Sequence, residues 1–122
     1  GLGARMPDFA AQANAQSLVC VQIEHQQAVA NIDDILKVDG IDVFFIGPSD
    51  LSQSMGFPGD PKAPPVAAAI DATLAKIRAA GMAPGMPATA ETLADAKAKG
   101  CRYIYTHLPR VLGAGAKGFL NT

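Results

Sequence analysis

Two apolar stretches decide the fold of this chain: residues 18–24, LVCVQIE, and residues 41–50, IDVFFIGPSD. Short apolar runs that stop at charged, glycine or proline residues are typical of buried β-strands. A carboxylate closes each stretch, Glu24 in the first and Asp50 in the second. Because the carboxyl ends of parallel strands open onto one face, we expect these two side chains to converge on one small site.

Strand-like and helix-like patterns alternate along the chain, with no low-complexity linker between them. Strands are predicted over residues 18–24, 41–46, 82–87 and 101–107. Helices are predicted over about residues 7–15, 26–37, 65–80 and 89–99, with a glycine-rich, weakly helical tail after residue 109. Residues 47–64 are rich in glycine and proline, which predicts an irregular loop. This alternation predicts an α/β fold with a parallel sheet.

The longest predicted helix, residues 65–80, has a one-sided apolar pattern. Its apolar stripe consists of Val66, Ile70, Leu74 and Ile77. Gly81 directly follows and is a natural end for a helix. We therefore expect this helix to cover one side of the sheet.

Four strand-helix units are about half of a (β/α)₈ TIM barrel, which takes roughly 250 residues. The chain has no initiator methionine and begins within a predicted helix. We therefore expect residues 1–122 to be the C-terminal part of a single (β/α)₈ barrel, supplying about four of its βα units. A free-standing open sheet of four units is the alternative.

The composition argues against several classes of function. The net charge is −1, and lysine and arginine are scattered, so no nucleic-acid interface is expected. Apolar stretches stop well short of the roughly 18 residues that a membrane span requires, and no secretory leader is visible. We expect a cytoplasmic protein that binds neither nucleic acid nor membrane. Cys20 and Cys101 are expected to pack within buried strands, without a disulfide or a metal.

The first strand combines an apolar side with a polar side. Side chains alternate along a strand, so Gln22 and Glu24 project to one side while Val21 and Ile23 face the other. A carboxylate inside a barrel needs a cation or hydrogen bonds to compensate its burial. Glu24 and Asp50 would offer oxygen ligands only, which favours Mg²⁺ or Mn²⁺ and leaves positions for a bidentate 2-oxo acid.

The turn at residues 47–52, GPSDLS, has two interpretations. The backbone amides of Ser49 and Asp50 could point into the site and bind a carboxylate. Alternatively, the turn is a strand-to-helix cap in which serine or aspartate satisfies unpaired amides. Beside Glu24, the first interpretation is favoured.

Four short motifs occur in a fixed order: residues 21–24 VQIE, 45–52 FIGPSDLS, 55–57 MGF and 83–85 APG. Together they resemble the C-terminal half of the HpcH/HpaI aldolase family, with a similarity that runs from about Arg5 to Leu112. The resemblance implies hexameric (β/α)₈ barrels with class II, metal-dependent pyruvate aldolase chemistry. Such enzymes cleave 4-hydroxy-2-oxo acids to pyruvate and an aldehyde through a metal-stabilised pyruvate enolate, in aromatic or sugar-acid catabolism.

Residue roles follow from the same motifs. Glu24 and Asp50 match the metal-binding carboxylates of the family, with Mg²⁺, Mn²⁺ or Co²⁺ as the ion. Gln22 matches a residue that contacts pyruvate, and the amides of Ser49 and Asp50 match the site for the pyruvate carboxylate. The arginine and histidine that complete the family's site match nothing in this chain, so the chain alone is expected to be catalytically incomplete.

The two histidines are interpreted differently. His107 ends the last predicted strand on the catalytic face and is a catalytic candidate, although the favoured interpretation is that it caps the strand or lines a pocket. His25 follows Glu24 and faces the other way, which predicts a structural role. Residues 106–110, THLPR, and Met86-Pro87 depart from the family pattern, so the aldehyde partner is not defined.

Three hypotheses about function follow. The first is a class II aldolase of 4-hydroxy-2-oxo acids that acts on small molecules as a homo-oligomer. The second is a non-catalytic half-barrel with a structural role. The third is a citrate-lyase-like enzyme that acts on an acyl-CoA thioester, against which the turn at residues 47–52 argues.

Overall fold

The computed structural model describes residues 8–120, and it contains one parallel sheet flanked by helices. The described strands are β1 (Cys20–Ile23), β2 (Val43–Ile46), β3 (Ala83–Pro87) and β4 (Tyr103–Tyr105). The described helices are α1 (Phe9–Gln16), α2 (Gln26–Ala30), α3 (Ile32–Ile35), α4 (Pro48–Ser54), α5 (Pro64–Ala79), α6 (Leu93–Ala98) and α7 (Leu108–Leu120). The predicted α/β class with a parallel sheet is confirmed.

Strand order follows the chain, β1-β2-β3-β4, and each neighbouring pair is parallel. The register aligns Gln22 with Phe45, Phe45 with Gly85, and Gly85 with Tyr103. Residues in one such row lie on the same face of the sheet because successive side chains alternate. All four strands therefore present their carboxyl ends at one edge, which we call the carboxyl edge.

The hydrophobic core lies between one face of the sheet and the helices. From β1 and β2 it receives Ile23, Phe44 and Ile46, each at most 2% exposed. The predicted stripe of α5 is confirmed, because Val66, Ile70, Leu74 and Ile77 are all buried. Thr73 joins them on the same helix, with its hydroxyl satisfied by a 2.7 Å hydrogen bond to the Ala69 carbonyl.

Glycine residues end the long helix and allow close packing in the sheet. Gly81 follows α5 with φ +78°, the left-handed conformation that terminates helices, as predicted. Gly85 lies between Phe45 and Tyr103 in the sheet, where a Cβ atom would approach the Tyr103 carbonyl to 2.8 Å and Phe45 Cδ2 to 2.9 Å. The rings of Phe45 and Tyr103 can therefore meet edge-to-face, with centroids 6.1 Å apart.

Three predictions about local structure were wrong. Residues 47–64 are not an irregular loop throughout, because Pro48 begins α4 as its first residue, where its fixed φ suits a helix. The helix predicted over residues 26–37 is broken at Asn31 into α2 and α3. Helix α6 begins at Leu93 rather than near Thr89, since Thr92 Oγ1 accepts from the Thr89 N–H (2.9 Å) in a preceding turn.

The prediction for the cysteines holds at one position only. Cys101 is buried, and desolvation raises the pKa of its thiol. Cys20 is exposed because it projects to the sheet face opposite the helices from β1, which lies at the edge of the described sheet. The predicted helix start at Pro7 lies outside the described residues.

The last helix, α7, projects from the rest of the fold. None of its described residues is buried, and Leu108, Leu112 and Phe119 are among its exposed apolar side chains. Over residues 8–120, every helix is too short or too polar to cross a membrane.

We predict that Gly85→Ala destabilises the protein by about 1–3 kcal/mol, because the added methyl group must displace backbone at Tyr103. Gly113→Ala is the matched control, since a Cβ atom there has nothing within 4 Å. In α7 that change should be neutral or stabilise by up to about 1 kcal/mol. Urea unfolding of both variants checks this, and equal free energies of unfolding would contradict the packing argument.

Candidate active site at the carboxyl edge

Glu24 and Gly47 lie side by side where β1 and β2 end. The register pairs Ile23 with Ile46, so the next pair is Glu24 and Gly47, and the Gly47 N–H donates to the Ile23 carbonyl (3.3 Å). A Cβ atom on Gly47 would lie 2.9 Å from Glu24 Oε2 and 3.0 Å from Glu24 Cβ. The Glu24 side chain thus occupies the space that a side chain at residue 47 would take.

Asp50 reaches the same point from α4. It is the third residue of that helix, and its Oδ2 lies 3.9 Å from the Cβ position of Gly47. The structure therefore brings the two predicted carboxylates together at Gly47. Glu24 is half-buried and Asp50 is exposed. Within the described residues, neither carboxylate has a hydrogen bond or an ion pair.

This donor set fits a hard divalent cation. Carboxylate oxygens of Glu24 and Asp50 lie near Gly47, whose missing side chain leaves room for them. Carboxylate oxygen is the preferred ligand of Mg²⁺ and Mn²⁺. Across residues 8–120 there is no cluster of three or more His, Cys, Asp or Glu side chains that could hold a metal. Glu24 and Asp50 therefore fit a partial shell completed by water and substrate, and their role as ligands stays a prediction.

The predicted substrate-binding residues lie around the two carboxylates. Gln22 is exposed on the same face as Glu24, one row further into the sheet. Ser49 is the second residue of α4, so its N–H and that of Asp50 have no acceptor within the helix. The Ser52 hydroxyl donates to the Ser49 carbonyl (2.7 Å), which fixes this first turn.

A hydrogen bond joins the two segments that follow β1 and β2. The Gln26 N–H, at the start of α2, donates to Ser54 Oγ at the end of α4 (3.0 Å). The same hydroxyl donates to the Leu51 carbonyl (2.9 Å). Ser54 therefore holds the segment that carries Glu24 against the helix that carries Asp50. The sequence analysis did not predict this contact, since it joins residues 28 positions apart.

The structure places the two histidines apart. Nδ1 of His25 accepts from the Gln27 N–H (3.2 Å) at the start of α2, which is the structural role predicted for it. His107 follows β4 at the carboxyl edge, and its ring lies edge-to-face on Tyr105 with centroids 5.1 Å apart. Three strand spacings of about 4.8 Å separate the backbones of β1 and β4.

A cavity of about 1020 Å³ lies elsewhere in the molecule. It is bounded by α6, β4 and the projecting α7, with Leu93, Cys101 and Val111 among its lining residues. Neither Glu24 nor Asp50 lines it. Because α7 buries no residue, we interpret this cavity as the gap beneath that helix and not as a substrate site.

A parallel sheet with two carboxylates at its carboxyl edge is the arrangement expected of an α/β fold of the (β/α)₈ barrel type. Comparison with known proteins agrees, because residues 3–104 match the family described as HpcH/HpaI aldolase/citrate lyase. The chain belongs to the HpcH/HpaI aldolase/citrate lyase family.

Curated relatives give a finer comparison. The chain is 53% identical over 90 residues to a 4-hydroxy-2-oxo-heptane-1,7-dioate aldolase of Salmonella paratyphi B, and equally to one of Salmonella typhi. The alignment covers 74% of this chain and 34% of each relative. The chain thus spans about a third of the length of the curated relatives that it matches.

Solved structures confirm the barrel architecture. A HpcH/HpaI aldolase/citrate lyase family protein from Burkholderia cenocepacia J2315 superposes with a TM-score of 0.87 at 32% identity, covering 94% of this chain and 46% of that one. The HpcH/HpaI aldolase from Desulfitobacterium hafniense DCB-2 gives 0.77 at 27%, covering 93% and 46%. Citrate synthase SbnG gives 0.79 at 25%, covering 96% and 49%. The described sheet is therefore about half of such a barrel.

We predict that Ser54→Ala destabilises the protein by about 0.5–1.5 kcal/mol, because the Gln26 N–H loses its acceptor. Ser17→Ala is the matched control, since the Ser17 hydroxyl bonds only to the Ala13 carbonyl one turn back on an exposed helix end. That variant should change the free energy of unfolding by less than about 0.5 kcal/mol. Urea unfolding measures both, and equal effects would show that Ser54 does not link the two segments.

Proposed function

We propose that the protein carrying this chain is a class II aldolase. It cleaves a 4-hydroxy-2-oxo acid to pyruvate and an aldehyde, and it requires a divalent metal ion such as Mg²⁺, Mn²⁺ or Co²⁺. The observation that carries the proposal is the convergence of the Glu24 and Asp50 carboxylates on Gly47. The names of the curated relatives support it, although this chain spans only about a third of their length.

Each residue of the site has a defined task in this proposal. Glu24 and Asp50 would hold the ion, and a divalent ion bound there would supply Lewis-acid chemistry toward the 2-oxo group of the substrate. Gln22 contacts the pyruvate portion from the neighbouring row. The N–H groups of Ser49 and Asp50 donate to the carboxylate of the substrate from the first turn of α4. These roles orient the substrate so that its C3–C4 bond can break.

The wider properties of the protein follow from the same proposal. Its substrates are small molecules, and it works as a homo-oligomer, a hexamer by family resemblance, in the cytoplasm. Aromatic compound catabolism is the metabolic setting that the resemblance implies. The arginine and histidine that complete the family's site would come from the part of the barrel outside this chain.

A lyase or synthase that acts on an acyl-CoA thioester is the second candidate. The specific observation in its favour is the similarity to citrate synthase SbnG, which superposes with a TM-score of 0.79. A panel of 4-hydroxy-2-oxo acids and acyl-CoA thioesters, offered to the same protein, separates the two reactions. A non-catalytic half-barrel is the third candidate, and a native gene product only about as long as this chain would favour it.

We predict that chelation with EDTA abolishes pyruvate release from 4-hydroxy-2-oxo-heptanedioate and that Mn²⁺ restores it. Glu24→Gln and Asp50→Asn should each lower kcat/KM by about a hundredfold or more, because a metal ligand supplies several kcal/mol. Glu91→Gln and Asp39→Asn are the matched controls, since both residues are exposed and neither approaches Gly47. A coupled assay of pyruvate measures all four variants. Unchanged turnover after chelation would contradict the proposal.

We predict that Gly47→Ala lowers Mn²⁺ affinity by about tenfold or more while stability changes little. The new methyl group would displace the Glu24 carboxylate, which is the free end of a flexible side chain, whereas Glu24 Cβ, at 3.0 Å, need move by only a few tenths of an ångström. Calorimetric titration with Mn²⁺ and urea unfolding of the same variant separate the two effects. Gly113→Ala controls for a glycine change in open space. Equal Mn²⁺ affinity in the Gly47→Ala and wild-type proteins would argue against a metal at Gly47.

A further inference from the structure

The row of residues that contains Glu24 ends in an aromatic side chain on β4. The strand registers, continued to the carboxyl edge, align Glu24 with Gly47, Gly47 with Pro87, and Pro87 with Tyr105. All four lie on the face of the sheet opposite the helices. Glu24 fills the space over Gly47, and Pro87 has only a short side chain. The gap between Glu24 and Tyr105 therefore lies above Pro87, and we call this gap the trough.

The Tyr105 side of the trough is held firmly in place. The Tyr105 ring stacks on Phe45, with centroids 5.1 Å apart and an interplanar angle of 19°, and Phe45 itself is only 2% exposed. His107, two residues further on, lies edge-to-face on Tyr105 at 5.1 Å and 87°. The His107 carbonyl accepts from the Arg110 N–H (2.9 Å), which fixes its backbone at the start of α7.

The polar groups of this pair are exposed at the carboxyl edge of the described sheet. Tyr105 is 38% exposed, and His107 is also exposed. Within residues 8–120, neither the Tyr105 hydroxyl nor the His107 imidazole has a hydrogen-bond partner. A phenol O–H and an imidazole N–H are both donors, and a carboxylate is a group that only accepts. The pair is therefore suited to bind a carboxylate on the opposite side of the trough from Glu24.

The curated relatives are named for a dicarboxylic 4-hydroxy-2-oxo acid. We propose that Tyr105 and His107 are the residues that bind the distal carboxylate of such a substrate, on its aldehyde half, and so distinguish it from a monocarboxylic one. The inference rests on the proposed function, because Glu24 and Asp50 must hold the 2-oxo end on the other side of the trough. About three strand spacings of 4.8 Å separate the two backbones, which leaves room for a substrate of several carbons between the side chains.

The test compares two substrates in the full-length protein. One is 4-hydroxy-2-oxo-heptanedioate, and the other is 4-hydroxy-2-oxo-heptanoate, which ends in a methyl group in place of the distal carboxylate. The selectivity is the ratio of kcat/KM for the first substrate to kcat/KM for the second. Tyr105→Phe keeps the ring on Phe45 but removes the hydroxyl, and His107→Ala removes the imidazole. Tyr103→Phe is the matched control, since Tyr103 lies one row further from the carboxyl edge.

We expect Tyr105→Phe and His107→Ala each to lower the selectivity by about tenfold, mainly through a higher KM for the diacid. His107→Gln should recover part of the loss because it retains an N–H donor, and Tyr103→Phe should leave the ratio unchanged. An unchanged ratio in both variants, or equal losses of kcat on both substrates, would overturn the inference. A wild-type protein that releases no pyruvate from either substrate would instead contradict the proposed function.

Discussion

The site depends on one packing relation, in which the side chain of Glu24 lies over a residue that has none. Parallel pairing of β1 with β2 places Gly47 beside Glu24, and any larger residue at that position would contact the carboxylate. The same glycine precedes α4, whose first turn brings Asp50 to the other side of the gap. The carboxylates of Glu24 and Asp50 are therefore brought close by three features: the strand register, the absence of a side chain at Gly47 and the start of α4. A cation between these two like charges would stabilise the arrangement.

The two proposals assign metal binding and substrate selection to different strands. Glu24 and Asp50 belong to the segments after β1 and β2, which Ser54 joins through the Gln26 N–H. Tyr105 belongs to β4 and stacks on Phe45, and His107, in the segment after β4, lies against Tyr105. Because Phe45 is part of β2, the aromatic contacts also connect the two sides of the site through the sheet. Selectivity could thus change on β4 while the carboxylates stay in place.

Patterns within single elements were predictable from the sequence, and relations between elements were not. The buried stripe of α5 follows from a helical period sustained over 16 residues, and the strands follow from apolar runs. Helix α4 has only seven residues, too few to show a period, and glycine and proline beside it favoured a loop. Strand register and the choice of the face that the helices cover decide the relations between elements. They determine the exposure of Cys20, the space at Gly47 and the hydrogen bond between Ser54 and the Gln26 N–H. A single sequence specifies these only indirectly.

Among the four described strands, β1 and β4 each have one side without a partner. The sheet face opposite the helices also carries exposed Cys20 and the partly exposed rings of Tyr103 and Tyr105. Unpaired strand edges beside apolar surface recruit further strands, from other copies if none is available in the same molecule. Residues 8–120 produced in isolation would therefore tend to self-associate, and expression together with strands that complete a barrel like those of the similar solved structures should suppress that aggregation.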